Sequence, residues 1–130
     1  MVIQVSKTKN YIPEFNGNKD LPSNEQIVVV LKNPTVAMRE KLIPRPQMKG
    51  RSTNGMSDGI EFEFQTPNKK QVLQEMINTI SGCASEENGV EKNICNANDL
   101  LNAPAEFNGL VDELFDVCQK ELQKTVPEKN

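Results

Sequence analysis

The stretch FNGLVDELFDVCQKEL, residues 107–122, decides how the rest of the chain is read. Its apolar residues Phe107, Leu110, Val111, Leu114, Phe115, Cys118 and Leu122 recur at steps that follow the 3.6-residue turn. They therefore fall on one face, and the segment is predicted to be an amphipathic helix. So wide a stripe needs a surface to cover it. The protein's own core comes first, and any apolar area left over is open to a second copy or to a partner helix.

Upstream, Thr66-Pro67 reads as a cap followed by a first-turn proline. The helix it opens would carry Val72, Leu73, Met76, Ile77 and Ile80 on its apolar face and stop at Gly82. Between these two helices, Ser85 to Asn88 reads as loop, Val90 and Ile94 as one short turn or strand, and Asn98 to Leu101 as a helical turn reset by Pro104.

The first half reads as strands. Gln26 to Leu31 is a Val/Ile run suited to burial on both faces. Ile60 to Phe64 alternates, with Ile60, Phe62 and Phe64 directed inward. Val2 to Val5 is a short strand candidate, and Tyr11 to Phe15 is an edge or irregular strand because of Pro13. The polar run Asn16 to Asp20 is turn chemistry, its Asn-Gly able to supply positive φ. A short helix from Pro34 to Leu42 would be capped by Asn33, present Val36, Met38 and Leu42, and end before Pro44 and Pro46. Residues 43–59 carry two prolines and three glycines without periodicity, and read as a long flexible loop. The sum is an α+β fold, a small antiparallel sheet from the N-terminal half packed against two or three C-terminal helices. It is expected to form one domain over 1–125, followed by a frayed tail over 126–130.

Composition narrows the function. A chain of 130 residues, 36% hydrophobic and without tryptophan, supports one modest core. Mean hydropathy is −0.56. The longest apolar run, Ile27 to Leu31, is too short to span a bilayer, and no leader-like segment opens the sequence, so a soluble cytoplasmic protein is expected. The three cysteines, Cys83, Cys95 and Cys118, match neither a disulfide framework nor a zinc ribbon. They read as reduced structural thiols, with a Cys83–Cys95 bridge as the alternative.

Histidine is absent, which removes the commonest general base and metal ligand together. Asp112 and Asp116, four apart, could hold a hard cation or serve as an acid/base pair, but they equally suit the solvated face opposite the stripe. Gly50, Gly55 and Gly59 do not form a phosphate-binding loop. The reading is therefore non-enzymatic, with no catalytic residue, metal, cofactor or small-molecule substrate expected. The remaining chemistry is a basic cluster, Arg39, Lys41, Arg45, Lys49 and Arg51, interrupted only by the acid Glu40. Such a cluster suits phosphates or an acidic protein patch. The net charge of −3 and the lack of interleaved aromatics favour the protein partner.

Three stretches carry a resemblance. They are Tyr11-Ile12-Pro13-Glu14-Phe15-Asn16-Gly17-Asn18 through Leu21-Pro22 and Glu25-Gln26-Ile27 to Asn33-Pro34-Thr35; the strand Ile60 to Phe64 with the helix after it; and Asn98-Asp99-Leu100-Leu101-Asn102-Ala103-Pro104 into Leu110-Val111-Asp112-Glu113-Leu114. In order and style they resemble the tail-assembly-chaperone-like proteins of tailed phages and prophages. The resemblance implies a small, partly helical morphogenesis protein that coats the tape-measure protein before the tail tube polymerises. The expected contact residues are Arg39, Lys41, Arg45, Lys49 and Arg51 together with Phe107, Leu110, Leu114 and Phe115. A virion or head–tail structural component is the alternative, and a nucleic-acid-binding accessory protein using residues 39–51 is the third reading.

Overall fold

The computed structural model describes residues 1–43 and 68–124, and the backbone alone of 46–50 and 60–64. Strand β1 (Thr8–Tyr11) leads into a kinked 3-10 segment (Phe15–Asp20) in which Asn16 and Gly17 take φ of 49° and 74°. Strand β2 (Val28–Lys32) and helix α1 (Val36–Leu42) follow, then the pair β3 (Pro46–Gly50) and β4 (Ile60–Phe64). Helix α2 (Lys69–Met76) feeds strand β5 (Ile77–Ser81) with no residue between them. Hairpin β6 (Ala84–Glu87) and β7 (Val90–Asn93), helix α3 (Ala97–Leu101), a 3-10 turn (Ala105–Phe107) and helix α4 (Asn108–Gln123) complete the order.

The fold is α+β. Antiparallel β1-β2-β5 form the central sheet, with two separate hairpins, β3-β4 and β6-β7. In β2 the alternation is regular, Val29 and Leu31 buried and Val28 and Val30 half-buried, so one face of the strand is committed to the core. Helix α2 packs on β2 and β5, and α4 packs against α2 and is tied to β1 through Tyr11–Glu113 and Lys9–Glu121. Leu110, Leu114 and Cys118 of α4 are wholly buried, and Val111 and Leu122 nearly so. The long stripe is thus core.

Several expectations change. The helix predicted to run to Ile80 ends at Met76, and Ile77 and Ile80 belong to β5. The β-branched run Ile77, Thr79, Ile80 favours extended backbone. A register shift opposite Val30/Leu31 skips Asn78, so Ile77 and Ile80 both face the core despite their odd spacing. That i,i+3 spacing is what imitated a helix. The helix is capped by Asn68, whose side chain accepts from the Gln71 amide; Thr66 and Pro67 lie outside the described residues.

The supposed long loop contains β3, paired residue for residue with β4 from Pro46↔Phe64 to Gly50↔Ile60. Pro46 sits at the strand's first position, where a missing N–H is tolerated. The rest of 51–59 and the tail 126–130 fall outside the described residues, as do the side chains of Ile60, Phe62 and Phe64. The segment Ser85 to Asn88, read as loop, is β6 and its turn. Asn88 and Gly89, at φ of 53° and 78°, make the tight connection of a two-residue hairpin. Finally, Val2 to Val5 pairs with no strand among the described residues, and Thr35 rather than Asn33 caps α1, accepting from Met38 N at 3.1 Å. Val36, expected on the apolar side of α1, is 79% exposed.

Two polar devices hold the first half in place. The buried Asn18 amide donates to the carbonyls of Pro13 and Ile27, while its oxygen accepts from Ile27 N at 2.6 Å. It thereby ties the kinked segment to the entrance of β2. Gly82 passes so close to Gln26 that a Cβ would lie 2.3 Å from its carbonyl oxygen, and its φ is +71°. Its role is this close approach, not the end of a helix.

Candidate interaction surfaces

The expected contact residues divide sharply. Leu110 and Leu114 are 0% exposed, so the folded protein cannot offer them to a partner. Phe107 and Phe115 are half-buried. Phe107 stacks on Phe15 with ring centroids 6.1 Å apart, and Phe115 receives the Lys69 ammonium over its ring at 5.5 Å.

The basic cluster is partly consumed as well. Arg39 donates to the carbonyls of Leu122 and Lys124, satisfying the C-terminal end of α4, where the helix leaves acceptors unpaired. Lys41 pairs with Glu75 on α2. Arg45 and Arg51 lie outside the described residues, and Lys49 is placed only by its backbone in β3. The sequence could not announce the Arg39 contact, because its acceptors lie more than eighty residues away. Two of the five basic residues thus brace the fold, which takes weight from the nucleic-acid reading.

The acidic face of α4 is equally occupied. Asp112 pairs with Lys69 at 2.6 Å, Asp116 with Lys120 at 3.1 Å, and Glu121 with Lys9 at 2.6 Å. Among the described residues no group of three or more acidic or sulfur ligands is placed to hold a metal ion. Glu113 accepts from the Tyr11 hydroxyl at 2.5 Å and from the Glu14 amide at 2.7 Å, pinning β1 and the kinked segment to α4.

Burial first, and then the Glu113 carboxylate, push the Tyr11 hydroxyl above its ordinary value of 10.0. Because the folded pKa exceeds the unfolded one, the fold favours the neutral phenol. That contribution is complete below pH ~10 and is lost as pH rises toward the folded value. Tyr11 is the only tyrosine, so an ultraviolet titration reads it alone. The native protein is expected to form tyrosinate well above the midpoint seen in denaturant, and Glu113→Gln is expected to narrow the gap.

All three thiols are free. Burial raises Cys118 to about 12, and burial followed by the nearby Cys95 raises Cys83. The Ile94 amide donates to the Cys83 carbonyl at 2.9 Å, extending the β6-β7 ladder so that Cys83 lies opposite Ile94. Cys83 and Ile94 are both buried while Cys95 is exposed, and Cys83 and Cys95 are both free thiols in the structure.

The apolar side chains left in water lie elsewhere. Met1, Val2, Ile3 and Val5 are between 65% and 114% exposed, beside β1 at the edge of the sheet. A cleft of about 300 Å³ opens at the other end of α4, walled by Phe15, Phe107, Leu21 and Ile27. The sequence signal for the first surface was the strand-like run 2–5 itself. No sequence signal joined Phe15 to Phe107.

Among the described residues no helix is long and apolar enough to cross a membrane. No family profile, curated protein or solved structure matches the chain.

Proposed function

We propose that the chain is a non-enzymatic morphogenesis protein of the tail-assembly-chaperone kind that its sequence resembles, and that it works by contact with another protein. The observation that supports this reading is the aliphatic segment 1–5, solvated in the folded chain although its residues are strong strand formers. The contact surface is therefore this segment and not the stripe of α4, whose leucines are spent on the core. An extended apolar segment can add to a partner's sheet edge or lie along a helical partner's groove, and masks aggregation-prone surface reversibly.

The test is co-expression with a tape-measure protein, which this reading expects to be encoded beside the chain, followed by fractionation. The tape-measure protein is expected in the soluble fraction only when the chain is present. The exposed-site variant Ile3→Asp/Val5→Asp is expected to return it to the pellet. A tape-measure protein equally soluble alone, or a gene neighbourhood holding a replication cassette in its place, overturns the reading.

A further inference from the structure

Two surfaces of this molecule complement each other. In the segment 1–7, Val2, Ile3 and Val5 are exposed and are followed by Lys7, which has no ion pair among the described residues. The cleft beside the stacked Phe15 and Phe107 rings is walled by Leu21 and Ile27 together with Asn16 and Asn18, and the exposed residues Glu25 and Glu106 also line it. Neither carboxylate has an ion pair among the described residues. One surface is aliphatic and basic, the other aromatic and acidic.

The segment cannot fill its own chain's cleft. Asn33 N holds the Lys7 carbonyl at 3.0 Å, and Lys9 pairs with Glu121 near the C-terminal end of α4. Phe107 stands at the opposite end of that helix, about 21 Å away at 1.5 Å per residue. Extended chain covers about 3.3 Å per residue, so Ile3 reaches only about 13 Å from the Lys7 anchor.

We infer that residues 1–7 of one copy dock in the Phe15–Phe107 cleft of a second copy, with Lys7 set against Glu25 and Glu106. The donor and the receptor lie at opposite ends of the molecule. Two antiparallel copies bring each segment beside the other's cleft and can exchange them in a closed pair, whereas a parallel stagger propagates the contact head to tail. This rests on residues 1–5 as a contact segment and adds the surface that receives them.

Sedimentation velocity of the full chain over a concentration series tests it. The average mass is expected to rise with concentration to that of a dimer or beyond. Ile3→Asp is expected to weaken association on the order of 100-fold, through the lost burial of one aliphatic side chain and a charge in its place. Glu25→Lys with Glu106→Lys is expected to do the same from the other side. Mixed in equal amounts, these two variants should form a one-to-one heterodimer and nothing larger, because one keeps its cleft and the other its segment. A wild-type chain that stays monomeric overturns the inference, as does a mixture that forms no heterodimer. So does association abolished by Ile3→Asp but untouched by the lysine pair, which would mark pairing along the β1 edge. The lysine variant keeps residues 1–7 and so still solubilises a foreign partner, which separates failure here from failure of the proposed function.

Discussion

Replacing Gly82 by alanine is expected to cost about 3 kcal/mol of folding stability, the largest effect among the glycines that the structure describes. Two terms contribute. At φ of +71° a side chain is strained, by about 1–2 kcal/mol. The new Cβ would also meet the Gln26 carbonyl oxygen at 2.3 Å, a backbone atom that cannot swing aside. Gln26 precedes Ile27, whose amide and carbonyl are both held by Asn18, so relief of the clash disturbs that latch. Gly89 is the internal control. Its φ is +78° but nothing lies within 4 Å of its virtual Cβ, so Gly89→Ala is expected to cost only about 1 kcal/mol. Urea denaturation of the two variants separates strain from collision. Equal losses would show that the close approach to Gln26 carries no weight.

Leu114→Ala is expected to remove about 3 kcal/mol or more, with a fall in Tm on the order of 10 °C. Leu114 is 0% exposed at the centre of the α4 stripe, on a helix that packs against α2. Truncation there leaves a cavity that close-packed neighbours fill only in part. Val36→Ala, on a residue 79% exposed, is expected to change stability by less than about 0.5 kcal/mol. A mild Leu114→Ala phenotype in thermal unfolding would mean that α4 is not the keystone of the core. It would also return the stripe to the list of surfaces available to a partner.

The legibility of this fold follows where burial leaves its mark. Helix α4 is clear in the sequence because a long helix buried on one side must repeat its apolar residues with the helical period. Strand β2 is clear because its β-branched run is dense. The α2–β5 junction is misleading for a definite reason. The bulge beside Asn78 gives a strand the i,i+3 spacing of Ile77 and Ile80, and only the pairing with β2 reveals it.

Hairpin β6-β7 is nearly silent, since Glu86, Glu87, Val90, Glu91, Lys92 and Asn93 are all exposed and no alternation marks a buried face. Its one local sign, Asn88-Gly89, is the signature of a two-residue turn. The interaction surfaces are harder still. A cluster of basic residues in sequence says nothing of whether the charges face solvent, and Arg39 turns inward to the end of α4. The exposure of residues 1–5 is a property of the folded chain, so a strand-like run could only be expected to find a partner strand.

The direct passage from α2 into β5 has a bearing on how this protein can change length. With no loop between Met76 and Ile77, the rotation of the helix about its axis sets which side of the strand faces the core. One residue added at that joint turns the helix by about 100° or flips the strand, and either exposes apolar side chains that the core requires. Length variation is therefore shut out between Val72 and Ile80. It can be absorbed at the Asn88-Gly89 tip, where the chain is exposed and the turn carries no core contact. The molecule thus has one stretch, Val72 to Ile80, whose length is fixed, and a turn eight residues beyond it where insertion is cheap.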